Sequence, residues 1–583
     1  MQSSRGPIET RNPLQKPWEA RNKLVVGIDI GTTQSGVAIA FFETGQLPRI
    51  YRVTKWPGQE SLGEQGKIPT VVWYDTDKKA VAFGAEALAP HTEEQAEDHG
   101  WTLAKHFKLH LHPDDMKAKH NLKLDNLPPG VSLRQIYADF LGYLHKHTRA
   151  YFEDRMVDGA LIWEQCKPTM EIIIAHPNGW GVREQTFLRG VAIDSGLVDS
   201  SLAPSKVRFV TEAEASVHFC IYQSNLGTRL QPGTIFGVCD AGGSTVDTTV
   251  YSVAGLRPML KLQEKCASAC VQAGAIFVDA AAEYYLHNTL SGAGLRRLDV
   301  EDYTKAGSRD FERHAKRTFA DETKEYSIAI ARSRFSNPKI NVHRGHMKLP
   351  GSVVQSFFDL CVKEILASVD EQLGKLDVSH ILLVGGFGDS PLLRNEFKKR
   401  YEPRGCQITL ANDSASKAVA DGAVIWNTIS SVVSRAPRSS FGISNAVRYS
   451  SPVHAPQGRV PFVRRDGGQW VHGAWSPIVL KASPSHARYT VGRTGGLSPQ
   501  VFQILQYAQP EIESLRGGLV SGFRQVCRLV GNLSDLSKAL QRRDGEYGED
   551  YWKIVFEVCI RFGGTELEAY LEWKEEVSGH VRQ

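Results

Sequence analysis

The chain has 583 residues, 42% of them hydrophobic, and at roughly 150 residues per domain this length predicts two to four domains. The formal net charge is only +5 and the basic residues are scattered without interleaved aromatics, which argues against a nucleic-acid-binding surface. The nine cysteines form no CxxC pair, so we expect no zinc site and no disulfide framework. No apolar run approaches about 18 residues and the N-terminus is polar, so we expect no membrane partner and a cytoplasmic location.

The first part of the chain predicts a tail followed by a lobe in which strands alternate with helices. Residues 1–22 mix proline, charge and amides without a period, which is typical of a flexible tail. The lobe, 23–232, opens with a strand from Leu24 and a hairpin, and its later alternation of strands and helices predicts a parallel sheet. Predicted strands lie at 35–42, 50–53, 68–74, 171–175 and 207–210, and predicted helices at 93–123, 133–153 and from Ala213 onward.

The pattern then restarts in a second predicted lobe, 233–432. A strand, hairpin and strand over 234–253 precede predicted helices at 267–285, 310–320, 353–373 and 415–429, with a buried strand at 380–384. Cys266 and Cys270 are expected to lie on one face of a helix. Residues 440–583 show short alternating runs, at 475–481 and 551–562 among others, and predict a smaller domain that is mostly β.

Two segments far apart in the chain carry the same chemistry. In each, a buried strand ends in an aspartate, Asp29 or Asp240, and glycines with hydroxyl residues follow. The glycines allow a tight reversal whose backbone N–H groups can face an anion, so both turns are expected to cradle phosphate. A carboxylate beside phosphate favours a bridging hard cation such as Mg²⁺, with Asp29 and Asp240 as its metal-binding residues. The turn residues are Gly31, Thr32, Thr33, Gly242, Gly243, Ser244 and Thr245.

A third glycine turn, Gly385-Gly386-Phe387, follows the strand at 380–384. Together, the three turns resemble the two phosphate turns and the adenosine turn of the 70-kDa heat-shock chaperone family, within the actin-like ATPase superfamily. The resemblance spans about 24–428 and is closest to the divergent member-12-like branch, whose shortened C-terminal part has a strand similar to 562–567. It implies a two-lobed α/β fold of duplicated ribonuclease-H-like sheets and a site for ATP or ADP with Mg²⁺.

The resemblance also implies roles for single residues. Glu212 resembles the carboxylate that orients the attacking water, and Asp247 supports the same site. Phosphoryl transfer to water needs a cation near the γ-phosphate, for which Lys108 is the candidate and Lys105 the alternative.

On the adenine side, the resemblance implies that Lys316 and Arg317 bracket ribose and base, opposite Gly385, Gly386 and Phe387. The chain departs from the family pattern on this side, and each lost contact should weaken nucleotide binding by about 1 kcal/mol or more. The departures lie at Asp389, Ala320 and near Ser416.

The expected function is therefore Mg²⁺-dependent ATP binding with slow hydrolysis, in a monomeric chaperone-like protein whose client would be an unfolded polypeptide. We find no acidic-apolar linker after Thr428 and no long charged helix at the end, so the C-terminal domain is expected to lack a lid. A nucleotide sensor or scaffold that does not hydrolyse ATP is the main alternative. A small-molecule kinase of the same superfamily is the third.

Overall fold

The computed structural model describes residues 13–60, 65–114, 116, 124–223, 226–257, 259–410, 418–464, 467–481, 486–494, 500–507, 523–531, 541–544, 550–561, 566–574 and 581–582. The protein is of mixed α/β class, as predicted. Its contacts divide it into a unit of residues 1–263 and 268–432 and a unit of residues 264–267 and 433–583. Ser416 and the run 562–565 lie outside the described residues.

The N-terminal half of the first unit contains a six-stranded mixed sheet and a separate three-stranded sheet. Its strands are β1 (Lys23–Ile30), β2 (Gln34–Phe42), β3 (Arg49–Arg52), β4 (Lys67–Pro69), β5 (Val71–Tyr74), β6 (Ala80–Phe83), β7 (Thr102–Lys105), β8 (Glu171–His176) and β9 (Val207–Thr211). Its helices are α1 (Gly84–Ala87), α2 (Pro90–His99), α3 (Lys108–Leu111), α4 (Leu133–Arg155), α5 (Gly159–Cys166), α6 (Val182–Asp194), α7 (Ala203–Lys206), α8 (Glu212–Gln223) and α9 (Leu226–Arg229).

The main sheet of this half has the order β3-β2-β1-β8-β9, with β4 on β2. The β1–β2 hairpin is antiparallel, whereas β1, β8 and β9 run parallel, as the alternation of strands and helices predicted. Both faces of β1 are buried, which explains its nearly continuous apolar run. The carboxyl ends of β1, β8 and β9 therefore meet at one edge of the sheet.

The C-terminal half of the first unit repeats this design. Its strands are β10 (Ile235–Ala241), β11 (Val246–Gly255), β12 (Lys261–Glu264), β13 (Ala269–Val271), β14 (Glu325–Ala329), β15 (Val342–His343), β16 (His346–Pro350), β17 (His380–Val384), β18 (Gln407–Leu410) and β19 (Val432–Ser434). Its helices are α10 (Ala275–Gly292), α11 (Arg297–Asp310), α12 (Lys316–Thr318), α13 (Gly351–Leu373), α14 (Pro391–Tyr401) and α15 (Ala418–Ile429).

The two main sheets have the same strand pattern. The second has the order β18-β17-β10-β11-β12-β19, with β13 on β11, and its first five strands match those of the first sheet. In it β10 and β11 form an antiparallel hairpin, and β10, β17 and β18 run parallel. Thus β10 corresponds to β1, and Asp240 corresponds to Asp29 near the end of the first strand. The duplication that the two motifs suggested is present in the strand order.

Helices α8 and α15 cross between the two main sheets. The α15 side chains pack against β1, β2 and β8, while α8 packs against the β10 hairpin. A Cβ on Gly422 would lie 1.9 Å from the Ala215 carbonyl oxygen, so the two backbones touch at this glycine. The Trp426 indole N–H also donates a buried hydrogen bond of 2.8 Å to Glu214.

Several predicted elements of the N-terminal half were wrong in extent. The single strand predicted at 68–74 is divided between β4 and β5, which lie in different sheets. The helix predicted at 93–123 includes α2, which ends at the left-handed Gly100, then β7 and the short α3. Within the predicted tail, the described part from 13 onward packs Trp18 on Phe42 with ring centroids 4.9 Å apart.

Two predicted helices of the C-terminal half were also wrong in extent. The helix predicted at 267–285 starts only with α10, and Cys270 lies on β13, not on a helix. The helix predicted at 310–320 is instead α11, a π-helical turn at Phe311–Ala315 and the single turn α12. A π-turn widens a helix by one residue per turn, a feature that hydrophobic periodicity does not reveal.

The second unit contains two antiparallel sheets. Their orders are β21-β22-β20-β24-β25 and β23-β27-β28-β29, with β26 on β27. Side chains from both sheets share one core that includes Ile443, Ile504 and Val558. The elements are β20 (Ser440–Arg448), β21 (Phe462–Val463), β22 (Gln469–Val479), β23 (His486–Thr494), β24 (Gln500–Tyr507), β25 (Phe523–Gly531), β26 (Gln541–Asp544), β27 (Asp550–Arg561), β28 (Glu568–Lys574), β29 (Val581–Arg582) and the helical turn α16 (Ser451–His454).

Within the described ranges, no helix combines the length and the apolar character needed to cross a membrane.

Candidate functional site

The three glycine turns line one open cleft in the first unit. Residues from both halves of the unit contribute to the walls. The lining residues are Asp29, Gly31, Thr32, Thr33, Gln34, Lys67, Lys108, Glu212, Asp240, Gly242, Gly243, Ser244, Thr245, Gly385, Gly386 and Val419.

The second turn is held in shape by backbone hydrogen bonds. The Gly242 N–H donates to the Thr245 carbonyl at 2.9 Å, which closes the reversal between β10 and β11. From the start of α10, the Ala275 and Ile276 N–H groups donate to the carbonyls of Gly242 and Gly243 at 3.2 and 2.9 Å. These bonds bring the N-terminus of an 18-residue helix up to the turn, where its partial positive charge favours an anion.

The first and second turns face each other across the cleft. The hydroxyl oxygens of Thr32 and Ser244 lie 2.6 Å apart and form a buried hydrogen bond. A Cβ on Gly243 would lie 2.9 Å from Thr33 Oγ1, so a side chain at this position would push the turns apart. Hydroxyl groups from both halves therefore meet in the cleft.

The third turn packs directly on the end of β10. Gly385 has φ of 84°, and a Cβ there would lie 2.5 Å from Asp240 Oδ1, so glycine is required both by conformation and by space. The Phe387 N–H donates to the Ala241 carbonyl at 2.8 Å. The Phe387 ring points into the core, 6.2 Å from the Phe358 ring centroid, and is not part of the cleft wall.

Asp29 and Asp240 both lie in the cleft and are almost fully buried. Asp29 forms an ion pair with Lys67, and the Ser216 hydroxyl donates to Asp240 Oδ2 at 2.7 Å. Burial, together with the nearby Glu212 carboxylate, raises the pKa of Asp240 to about 7. Two carboxylates beside hydroxyl-rich turns form an oxygen donor set that fits a hydrated Mg²⁺ ion.

Glu212 and Lys108 form a buried ion pair with 2.6 Å between Oε1 and Nζ. Glu212 begins α8 directly after β9, at the sheet edge where β1 ends, and Lys108 begins α3. Burial alone would lower the pKa of Lys108, but the carboxylates of Glu212, Asp29 and Asp247 raise it, so the ammonium stays charged. Burial raises the pKa of Glu212.

Asp247 lies behind the cleft and does not line it. It is opposite Asp240 in the β10–β11 register, and its Oδ1 accepts a hydrogen bond of 3.0 Å from the Asn178 N–H of the N-terminal half. Burial and the Glu212 carboxylate raise its pKa to about 8. Asp247 therefore stands within electrostatic range of the cleft and links the two halves.

The proposed adenine residues on α12 are not among the residues that line the cleft. Lys316 forms an ion pair of 2.6 Å with Asp279 on α10, and Arg317 is its exposed neighbour. Of the two lysines considered for the γ-phosphate, Lys105 lies 3.3 Å from Asp125 outside the cleft lining, whereas Lys108 reaches the cleft.

Sequence reasoning missed four residues of this site: Lys67, Gln34, Val419 and Ser216. Lys67 directly precedes the apolar run at 68–74, and a cation at the edge of a buried strand was the available signal. Ser216 follows Glu212 by one helical turn and therefore shares its face of α8.

Comparison with known proteins gives relatives of one kind. No protein-family model matches the chain. Heat shock 70 kDa protein 12B of Homo sapiens is 23% identical over 559 residues, which cover 80% of this chain and 77% of that protein. Heat shock 70 kDa protein 12A of Homo sapiens is 21% identical over 528 residues, covering 77% and 75%, and the Mus musculus protein of the same name gives the same identity and coverage. These similarities confirm the resemblance to the divergent member-12-like branch of the 70-kDa heat-shock family that the three glycine turns predicted.

Proposed function

We propose that the first unit is an actin-like ATPase domain that binds ATP in the cleft between its two halves, hydrolyses it slowly and releases ADP and phosphate. One observation carries the proposal: all three glycine turns line a single cleft together with Asp29, Asp240, Glu212 and Lys108. The similarity to heat shock 70 kDa proteins supports the same reading. The domain limits would be 23–232 and 233–432 for the two lobes.

In this proposal the triphosphate lies between the first two turns. The N–H groups and hydroxyls of Thr32, Thr33, Ser244 and Thr245 would bind the phosphate oxygens, and the α10 N-terminus would add its partial positive charge. The base would lie toward Gly385 and Gly386. With Lys316 held by Asp279, base recognition would rest on fewer polar contacts than the family pattern implies.

Hydrolysis would require a water in line with the bond between the γ-phosphorus and the bridging oxygen. Glu212 would accept a hydrogen bond from this water and orient it, while the Lys108 ammonium would neutralise charge on the γ-phosphoryl group. Asp29 and Asp240 would hold Mg²⁺ largely through water, and the ion would supply charge neutralisation at the phosphates when bound.

The second unit would be a reduced, lidless substrate-binding-like domain over 440–583. Its shared core between two sheets is consistent with a β-sandwich, and its described residues include no long helix. We propose an unfolded polypeptide as its client and a monomeric, cytoplasmic chaperone as the whole protein.

The variant Glu212→Gln tests hydrolysis separately from binding. Glutamine keeps the size of the side chain but weakens its ability to orient water, so single-turnover phosphate release should fall at least about a hundredfold. ATP affinity, measured by calorimetry, should change far less. Glu283→Gln on the exposed face of α10 is the matched control and should leave both quantities unchanged.

Each outcome decides between specific hypotheses. If the wild type binds ATP but releases no phosphate above the Glu212→Gln level, the protein is a nucleotide sensor and the enzyme proposal fails. If phosphate passes to an added polyol and not to water, the kinase alternative is correct.

A further inference from the structure

We propose that Lys67 is a built-in counter-ion of the nucleotide site, which neutralises Asp29 and lets the cleft bind ATP when no divalent ion is present. The inference rests on the proposed function, because it concerns the same cleft. Lys67 lies outside the three glycine turns. In this proposal, ATP binding does not require Mg²⁺, whereas ATP hydrolysis does.

The sheet register sets Asp29 and Lys67 on the same face. Asp29 pairs with Gly36 across β1 and β2, and Gly36 pairs with Lys67 across β2 and β4. Residues directly opposite in antiparallel strands point to the same side, so the three form one row. With about 4.8 Å between strands, the row separates Asp29 from Lys67 by roughly 10 Å of backbone, a gap that the two side chains can bridge.

Gly36 leaves the space through which the lysine crosses. A Cβ at this position would lie 3.3 Å from Lys67 Cδ and 3.5 Å from Lys67 Cε, which shows that the lysine stem runs directly over the glycine. The stem ends in an ion pair between Nζ and Asp29 Oδ2. Because Gly36 has no side chain, the Lys67 stem can pass over β2 and reach Asp29.

The Lys67 side chain is 15% exposed and lines the cleft. Its charge also acts on Glu212 and Asp240, where it favours the ionised carboxylates. Without Lys67, the cleft would hold Lys108 as the only cation among its lining residues, against three carboxylates. Because like charges repel in a site of low dielectric, such a cleft would accept a triphosphate only with a divalent ion.

The experiment measures binding of a fluorescent ATP analogue to the full chain, with Mg²⁺ and with excess EDTA. Wild-type affinity should fall by less than about tenfold in EDTA, equivalent to less than about 1.4 kcal/mol. Lys67→Met keeps the apolar stem but removes the charge, so its affinity should fall more than about a hundredfold in EDTA and change little with Mg²⁺. Lys305→Met, at an exposed site on α11, is the matched control and should behave as the wild type.

A second measurement uses the metal alone. Mg²⁺ without nucleotide should raise the unfolding temperature of Lys67→Met, whose Asp29 is free for the ion, more than that of the wild type.

Three results would overturn the inference: loss of wild-type binding in EDTA, equal EDTA sensitivity of wild type and Lys67→Met, or loss of Lys67→Met binding under both conditions. If the wild type binds no nucleotide under either condition, the proposed function itself fails, which is a distinguishable outcome.

Discussion

At the scale of single residues, the cleft is defined by buried carboxyl groups whose charges are only partly compensated. Asp240 and Asp247 face each other across the β10 hairpin, and burial raises their pKa values to about 7 and about 8. Glu212 adds a third buried carboxyl group, balanced by Lys108 at 2.6 Å. Ionising these carboxyl groups costs stability, so the folded protein tends to keep them protonated, and a bound cation would favour their ionised form.

These raised pKa values predict how stability depends on pH. The folded protein retains protons that an unfolded chain releases above about pH 4, so the free energy of unfolding should fall as pH rises from about 4 to about 8. Asp240→Asn removes one such group and should flatten the profile by up to about 4 kcal/mol across this window. Urea denaturation of the ligand-free protein at several pH values measures the profile.

The matched control for this prediction is Asp377→Asn, at an exposed position before β17, which should leave the pH profile unchanged. An Asp240→Asn profile as steep as that of the wild type would contradict the assignment of the pH dependence to this carboxyl group.

At the scale of elements, the crossing of α8 and α15 determines how closely the two main sheets approach. Glu212 begins α8, and the helices touch where Gly422 meets Ala215. The buried hydrogen bond between Trp426 and Glu214 ties the same pair of helices together. Movement of this crossing would displace Glu212 relative to the turn that follows β1.

Gly422→Val tests the crossing. Its side chain would overlap the Ala215 backbone, and because backbone cannot yield as a flexible side chain can, we expect a loss of about 3 kcal/mol in the free energy of unfolding. Gly292→Val at the end of α10 has open space around its Cβ and should cost far less. Denaturant midpoints measured on both variants check the difference. Equal midpoints would mean that the helices do not depend on this contact.

The elements also show what the sequence could and could not predict. Leu24, Ile235 and Ile381 lie in apolar runs that each end at a glycine turn, and the strands there were predicted at nearly their observed positions. The region from 93 to 111 was wrongly predicted as one helix because its polar composition has no clear period, and its short strand and helices are determined by tertiary pairing.

The residues of the candidate site also divide into those that the sequence predicted and those that it did not. Residues within the glycine turns were identifiable because the chemistry is local in the sequence. Lys67 and Ser216 were missed, because their positions in the sequence do not reveal their carboxylate partners. Each reaches its partner through strand register or helix packing, which the three-dimensional structure provides.

At the scale of the first unit as a whole, one strand pattern occurs twice and the two copies meet at the cleft. The Thr32–Ser244 and Asn178–Asp247 hydrogen bonds join the halves near the turns, and the ion pair between Glu93 and Arg309 joins them farther out. A ligand that contacts both copies would favour whichever arrangement of the two halves it binds more tightly, in proportion to that difference in affinity.

The most direct test of ATP binding in the cleft is calorimetric titration of the whole chain with ATP and Mg²⁺. The test variant is Gly386→Glu. Gly386 lines the cleft and has open space for a side chain, so glutamate should fit sterically. It should occupy the space toward which the base would lie and add negative charge to a cleft that binds a polyanion. The same substitution at Gly292, which is equally unobstructed and lies outside the cleft lining, is the control. We predict saturable binding with one ATP per chain for the wild type and Gly292→Glu, and affinity reduced at least about a hundredfold for Gly386→Glu. Absence of binding to the wild type, or equal affinity of all three proteins, would contradict nucleotide binding between the two halves.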